Sequence, residues 1–335
     1  MRKLATIQKI KDLQPIAGAD RIERATVLGW HVVVKKGDFQ AGDYCVYCEI
    51  DSLLPEKPEF EFLRPRKFRI KTVRLRKQIS QGIAFPTSIL DDYEDVEIKE
   101  GADVTDLIGV KKYEPPIPIT MSGNVKGAFP GFIPKTDEIR IQSMPDVLTR
   151  SENRGKRCYV TEKIDGTSAT YYLKDGEFGV CSRNLELRES EKNIHWIAAR
   201  QYDLAARLRG LNQNIAIQVE IIGPKIQKNK YALAKPQLMV FNVFDINRYE
   251  FLSYEDFVSF TETLKLETVP ILRDDYVLGQ DDVDSLVRMS EGKSVVNPKI
   301  LREGIVIRSV VEARDPEIGR LSFKVINPLF LLKFE

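Results

Sequence analysis

The sequence has few of the residues that most often mark a site. In 335 residues there are two histidines, His31 and His195, and four cysteines, Cys45, Cys48, Cys158 and Cys181. Two imidazoles leave little material for a histidine-centred metal site or a Ser-His-Asp triad. Cys45 and Cys48 form a C-x-x-C, but no second C-x-x-C or C-x-x-H follows. The pair lies in YCVYCEI, an apolar run of strand character, where positions three apart face opposite ways, so a zinc pair is not expected. No apolar run approaches the roughly 20 residues needed to cross a bilayer. The opening MRKLATIQKIKDLQ is charged almost at once and lacks the apolar stretch of a secretory leader. A cytosolic protein with no membrane partner is the expectation. An excess of one charge is also missing: 51 Lys and Arg against 49 Asp and Glu leave +2, which says little about partners.

What is present is a soluble-type composition, 43% hydrophobic and 30% charged, at a length comfortable for two domains. Residues 1–113 are β-rich. RIERATVL, WHVVVKK and DYCVYCEID are strand-like runs separated by Gly29 and the turn GDFQAGD, and the pattern continues through a basic run and QGIAFP. Five short strands in this length predict a small barrel of the oligonucleotide-binding (OB) type. The basic run, residues 64–77, holds Arg64, Arg66, Lys67, Arg69, Lys71, Arg74, Arg76 and Lys77, interleaved with Phe68, Ile70, Val73 and Leu75 at strand spacing. It offers a row of cations to phosphates or protects an exposed sheet edge. Eight cations without an intervening acid exceed what edge protection needs. Residues 114–135, rich in Pro and Gly, are expected to form a linker.

From residue 136 to 335 long strands alternate with helical segments, which predicts an α+β domain with antiparallel sheets and flanking helices. One helix is expected over 189–210, where Ile194, Ile197, Ala198 and Leu208 recur at helical spacing. A second covers SYEDFVSFTETLK with Ser253 at its N-cap, and a third covers DDVDSLVRMS. The chemistry concentrates in YVTEKIDGTS, residues 159–168, where K-x-D-G follows a strand. A lysine with a carboxylate two residues on suits covalent nucleotidyl transfer. Its amine must lose a proton to attack a phosphorus, and nearby cations or a metal would assist. Gly166 would let the backbone turn close to a nucleotide. Downstream come CSRN, QVEIIG, VFNVFD, REGIVIR and LSFKVINP, each at the edge or end of a strand.

This ordered set resembles motifs I, Ia, III, IIIa, IV and V of the covalent nucleotidyltransferases: DNA ligases, RNA ligases and capping enzymes. GADRIERATVLGWHVVVKKGDF, VYCEIDSLLP and PKTDEIRIQ are more specific. They resemble the RNA ligases of the Deinococcus and Naegleria type, which carry an OB domain ahead of the ligase domain. The resemblance implies ATP as cofactor and Lys163 as the nucleophile that forms lysyl-AMP. It implies Glu162 helping to read adenine and Arg183 near the ribose or 5′-phosphate. Asp165, Glu220 and Glu303 would hold a hydrated Mg²⁺ or Mn²⁺, and Lys324 would contact the α-phosphate. Phe244 would stack on the adenine, although a Phe in an apolar strand is commonly core. Arg140, in TDEIR, is a candidate for the β- and γ-phosphates. GPKIQKNKY is either a basic loop that grips RNA or a plain solvated loop. One departure stands out: many relatives carry K-x-K in motif V, whereas Ser322-Phe323-Lys324-Val325-Ile326 has one lysine.

The function implied is sealing of 3′-hydroxyl and 5′-phosphate RNA ends by a monomer, at nicks with RNA on the 3′-hydroxyl side. The rivals are a DNA ligase or capping-type enzyme and an inactive RNA-end-binding module.

Overall fold

The computed structural model describes residues 3–94, 96–114 and 124–334. The chain divides into two compact units. The first takes the described residues before 117, together with 141–145 and the C-terminal helix Pro328–Phe334; the second takes the remainder up to Asn327. The C-terminal helix therefore leaves the domain expected over 136–335.

The first unit is a curled antiparallel sheet of five strands: β1 (Ala5–Pro15), β2 (Ile22–Val27), β3 (Trp30–Lys35), β4 (Tyr44–Cys48) and β5 (Ile83–Pro86), in the order β3-β2-β1-β4-β5. β1 makes the curl. Its first half, Ala5–Lys9, pairs with β4, and after an irregularity between Ile10 and Asp12 its second half pairs with β2. Such a break bends a strand and sharpens its twist, which lets one strand serve both halves of a half-barrel. The five-stranded OB-type expectation holds, but with different membership. β1 falls in the charged opening, and the basic run is not a sheet strand. Residues Pro58–Arg66 form a 3₁₀ segment containing Pro65, and Lys67 and Phe68 take left-handed φ values of 52° and 58°. Proline lacks the N–H a ladder needs, so the run breaks there. Only a short hairpin, Val73–Leu75 with Gln78–Ser80, survives beyond it. Phe68 and Ile70 do point inward, both nearly buried. Cys45 and Cys48 are buried as free thiols, and burial, the leading cause, pushes each up to about 12.

The second unit is built on two large sheets, beside a two-stranded pairing of Arg314–Asp315 with Gly319–Arg320. The strands of the large sheets are β6 (Val125–Ala128), β7 (Ile139–Arg140), β8 (Arg157–Lys163), β9 (Thr167–Lys174), β10 (Glu177–Ser182) and β11 (Leu185–Leu187). They continue with β12 (Ile215–Ile222), β13 (Gln237–Asp245), β14 (Glu250–Phe251), β15 (Ile271–Val277), β16 (Gly304–Ser309) and β17 (Ser322–Ile326). The seven-stranded sheet runs β6-β11-β10-β9-β12-β13-β14, and the five-stranded sheet runs β7-β17-β16-β8-β15. Of the linker expected over 114–135, residues 115–123 lie outside the described residues, and β6 belongs to the larger sheet. One face of that sheet buries Tyr171, Ile217, Val219 and Val240 against helices through Ala198, Leu204 and Leu208. The helix expected over 189–210 is two, Ile194–Gln201 and Leu204–Gly210, parted where Asp203 takes a left-handed φ of 47°. Ser253 caps Tyr254–Thr263 as expected, accepting from the Asp256 N–H at 3.3 Å. No helix among the described residues is long and apolar enough to cross a membrane.

A buried carboxylate anchors the rim of this unit. Asp315 accepts from Arg150 Nη1 at 2.5 Å, Asn153 Nδ2 at 2.6 Å and the N–H groups of Glu317 and Ile318 at 2.9 and 3.1 Å. Burial alone would raise its pKa, but the Ile318 N–H, Asn153 and Arg150 together hold it below the ordinary aspartate value. A carboxyl with a lowered folded pKa stabilises above its unfolded value and loses that contribution as pH falls through the folded one. The second unit should therefore lose stability from about pH 4 downward. Asp315→Asn should cost on the order of 2 kcal/mol at pH 7 and flatten that acid limb. Urea unfolding of both proteins at pH 7 and pH 3.5 would check this; equal acid sensitivity would refute it.

Candidate active site

The turn Ile164–Gly166 carries the chain from β8 in the smaller sheet to β9 in the larger one. It opens on a cavity of about 350 Å³. The turn must be tight, because a Cβ at Gly166 would collide with the Ile221 carbonyl and crowd Glu220. Glycine is required there by the neighbouring strand.

Lys163, the last residue of β8, faces the cavity. Its Nζ donates to both oxygens of Glu303 at 2.7 Å, with the lysine 26% and the glutamate 16% exposed. Glu303 immediately precedes β16, which lies beside β8 with Lys163 opposite Gly304. Glu220 stands on β12 and accepts from the Gly166 N–H at 3.0 Å. Asp165 is ion-paired with Lys230. Burial would lower the pKa of Lys163, but Glu303, Glu220 and Asp165 outweigh it and the amine lies above the ordinary lysine value. Glu220 is pushed up to about 8. Burial is the main cause, the charges of Glu303 and Asp165 add to it, and Lys163 and the Gly166 N–H oppose it. Lys324 on β17 pairs with Val306 of β16 and lines the same cavity. Arg183 lines it too, ion-paired with Asp137.

The five residues expected to be catalytic are thus brought together. Three other placements differ from expectation. Glu162 borders the cavity, but strand alternation turns its side chain the other way: the Val295 N–H donates to its Oε2 at 2.7 Å. Arg140 sits beside Lys324 in strand register but is not among the residues lining the cavity. Phe244 is 1% exposed and packs edge-on against Tyr249 and Phe251, with centroids 5.2 and 5.0 Å away. It is core, and Phe241 lines the cavity instead. A bulge makes the difference. Gln218 pairs with Asn242 but Val219 pairs with Val240, so Phe241 is the extra residue of β13.

Sequence reasoning also missed Arg308 and Glu138. Arg308 Nη2 donates to Glu138 Oε1 at 2.8 Å, and Ser322 Oγ donates to the same oxygen at 3.3 Å. Both charged residues line the cavity, and Arg308 is 3% exposed. The signal was available: Val306 and Arg308 recur at spacing two along β16 and share its cavity face. Among the described residues no group of three or more acidic, cysteine or histidine side chains is arranged to hold a metal ion directly. Three carboxylates on one cavity wall are nevertheless the oxygen donors that a hard, hydrated cation favours.

A model described as an RNA ligase matches residues 156–326. The chain belongs to the RNA ligase family. A second model, an OB-fold domain, matches residues 4–87. Solved structures agree with this membership. The chain is 38% identical to a variant of Naegleria gruberi RNA ligase with ATP and Mn, at a TM-score of 0.89, covering 99% of both chains. It is equally identical to the same ligase with PPi and to another variant with AMP and Mn, at TM-scores of 0.88 and 99% coverage of both chains. No curated protein gives a significant match. The RNA ligase model spans every motif from K-x-D-G to Lys324.

Because Phe244 is core, Phe244→Ala should lower unfolding stability by about 3–5 kcal/mol, while Phe241→Ala, at a half-buried position, should cost clearly less. Urea titrations of the two variants decide; equal losses would contradict the assignment.

Proposed function

We propose that this RNA ligase uses ATP to join a 3′-hydroxyl to a 5′-phosphate through AMP carried on Lys163. The observation that carries the reading is the Lys163 amine, held by Glu303 on the wall of a cavity that also presents Asp165, Glu220 and Lys324. The similarity to ligase structures containing ATP or AMP supports it.

In the first step the neutral amine of Lys163 attacks the α-phosphorus of ATP. A P–N bond forms, the P–O bond to pyrophosphate breaks, and pyrophosphate leaves. Before attack the amine must shed a proton, and Glu303 is the acceptor in contact with it. In the second step a 5′-phosphate oxygen attacks the same phosphorus, the P–N bond breaks and AMP moves to the RNA end. In the third a 3′-hydroxyl attacks the 5′-phosphorus, closes the phosphodiester and releases AMP. Lys324 would neutralise charge on the α-phosphate, and Arg183 would bind the ribose or the 5′-phosphate. Arg140, one strand away from Lys324, is the candidate for the outer phosphates. Phe241 takes the stacking position on adenine. Asp165, Glu220 and Glu303 would hold hydrated Mg²⁺ or Mn²⁺, partly through water, which supplies charge neutralisation at the phosphates. The natural substrate is a nicked or paired break with RNA on the 3′-hydroxyl side. Arg66, Lys71, Arg74 and Lys77 of the OB unit would grip its phosphates.

Mixing the chain with α-labelled ATP and a divalent cation, without RNA, should leave acid-labile label on the denatured polypeptide and none on Lys163→Ala. Because the amine lies above the ordinary lysine value, its neutral fraction rises with pH, and labelling should accelerate through pH 6 to 9 by up to about tenfold per unit. Absence of label under every nucleotide and metal tried would favour an RNA-end-binding module. A flat pH profile would mean that deprotonation of Lys163 does not limit the step.

Nicked duplexes separate the substrates. Sealing should be at least tenfold faster when the 3′-hydroxyl strand is RNA than when it is DNA. Equal rates would move the chain toward a DNA-ligase reading.

A further inference from the structure

Asp165 is the second charged residue of K-x-D-G, and in this structure its carboxylate faces a lysine. Lys230 is ion-paired with it, and the two side chains are only 13% and 16% exposed. The loop that brings Lys230 is docked on the same turn by its neighbours. The Asp165 N–H donates to the Tyr231 hydroxyl at 2.9 Å, and the Tyr231 ring is buried with Ile164 and Ile222. Asn229 clips the loop shut through two hydrogen bonds to the Leu233 backbone at 2.9 and 3.1 Å. The backbone is left-handed at Gln227, Lys228, Asn229 and Ala232, none of them glycine. L-residues rarely adopt that conformation, so the loop is held by these contacts rather than by its own preference.

The other two carboxylates are likewise engaged by the chain itself: Glu303 by Lys163 and Glu220 by the Gly166 N–H. This explains why no three of these side chains are arranged to hold an ion, although their chemistry suits one. We infer that Lys230 is a positioning residue that serves as the internal counter-ion of the cation site: it balances Asp165 in the nucleotide-free protein and competes with a divalent cation for that carboxylate. The inference rests on the reading of Asp165 as a carboxylate of the cation site. It follows that the free protein binds divalent cations weakly. A bound nucleotide's phosphates would offer the Lys230 ammonium a new partner and so free Asp165 for a cation. The same loop returns a second cation to a site whose last motif holds a single lysine.

The test is a titration of the nucleotide-free full chain with Mn²⁺, following free Mn²⁺ by electron paramagnetic resonance. Lys230→Met should tighten Mn²⁺ binding roughly tenfold, the effect of one unit charge a few ångströms away in a partly screened site. Lys230→Arg should behave as the wild type. A residue with a merely structural role would loosen binding when removed, so the sign decides. Unchanged or weaker binding in a Lys230→Met protein that melts like the wild type overturns the inference. If that variant does not fold, Lys230→Gln gives the same comparison. Asp165→Asn separates the two levels. If it leaves Mn²⁺ affinity unchanged, the cation-site reading itself fails. If it weakens binding while Lys230→Met does not tighten it, only the role of Lys230 fails.

Discussion

Like charges cannot share a poorly solvated cavity without compensation, and the second unit is organised around that requirement. Asp165, Glu220 and Glu303 come from the inter-sheet turn, the larger sheet and the residue just before β16 of the smaller sheet respectively. Each has a donor supplied by the chain: Lys230, the Gly166 N–H and Lys163. The tight turn at Gly166 is part of the same arrangement. Without it the Glu220 carboxylate would lose its N–H partner, and its pKa, already near 8, would move further from the ionised form.

The site was legible to the extent that it is written as linear motifs at strand ends. Lys163, Asp165, Glu220, Glu303 and Lys324 stand on one cavity between the two sheets: Lys163, Asp165 and Glu303 at or beside strand ends, Glu220 and Lys324 within strands. Alternation along a strand is also readable. It puts Thr161 and Lys163 on the face opposite Glu162, and Val306 with Arg308 on the cavity face.

What could not be read depends on departures from periodicity. The bulge opposite Gln218 and Val219 inserts Phe241, and only the folded pairing reveals it. From the sequence Phe241 and Phe244 are equivalent aromatics in one apolar run. The left-handed residue at Asp203 divides a helix whose apolar spacing runs on through it. Pro65 removes a ladder N–H from the basic run even though Phe68, Ile70, Val73 and Leu75 keep strand spacing beyond it. The opening strand was obscured by its lysines: Lys9 and Lys11 decorate the outer side of a strand whose Ala5, Ile7 and Ile10 are fully buried. Lys230 is, in the sequence, one of three lysines in GPKIQKNKY. Its pairing with Asp165 joins residues 65 positions apart and leaves no local trace.

The four thiols have a practical consequence. All are buried and free, and burial, the largest cause in each case, pushes every one up to about 12. At neutral pH they are poor nucleophiles toward maleimides and iodoacetamide. The native chain therefore behaves as a blank background for labelling chemistry. A single cysteine introduced on an exposed turn would carry a fluorophore or spin label alone, with no need to strip the interior of its sulfur first.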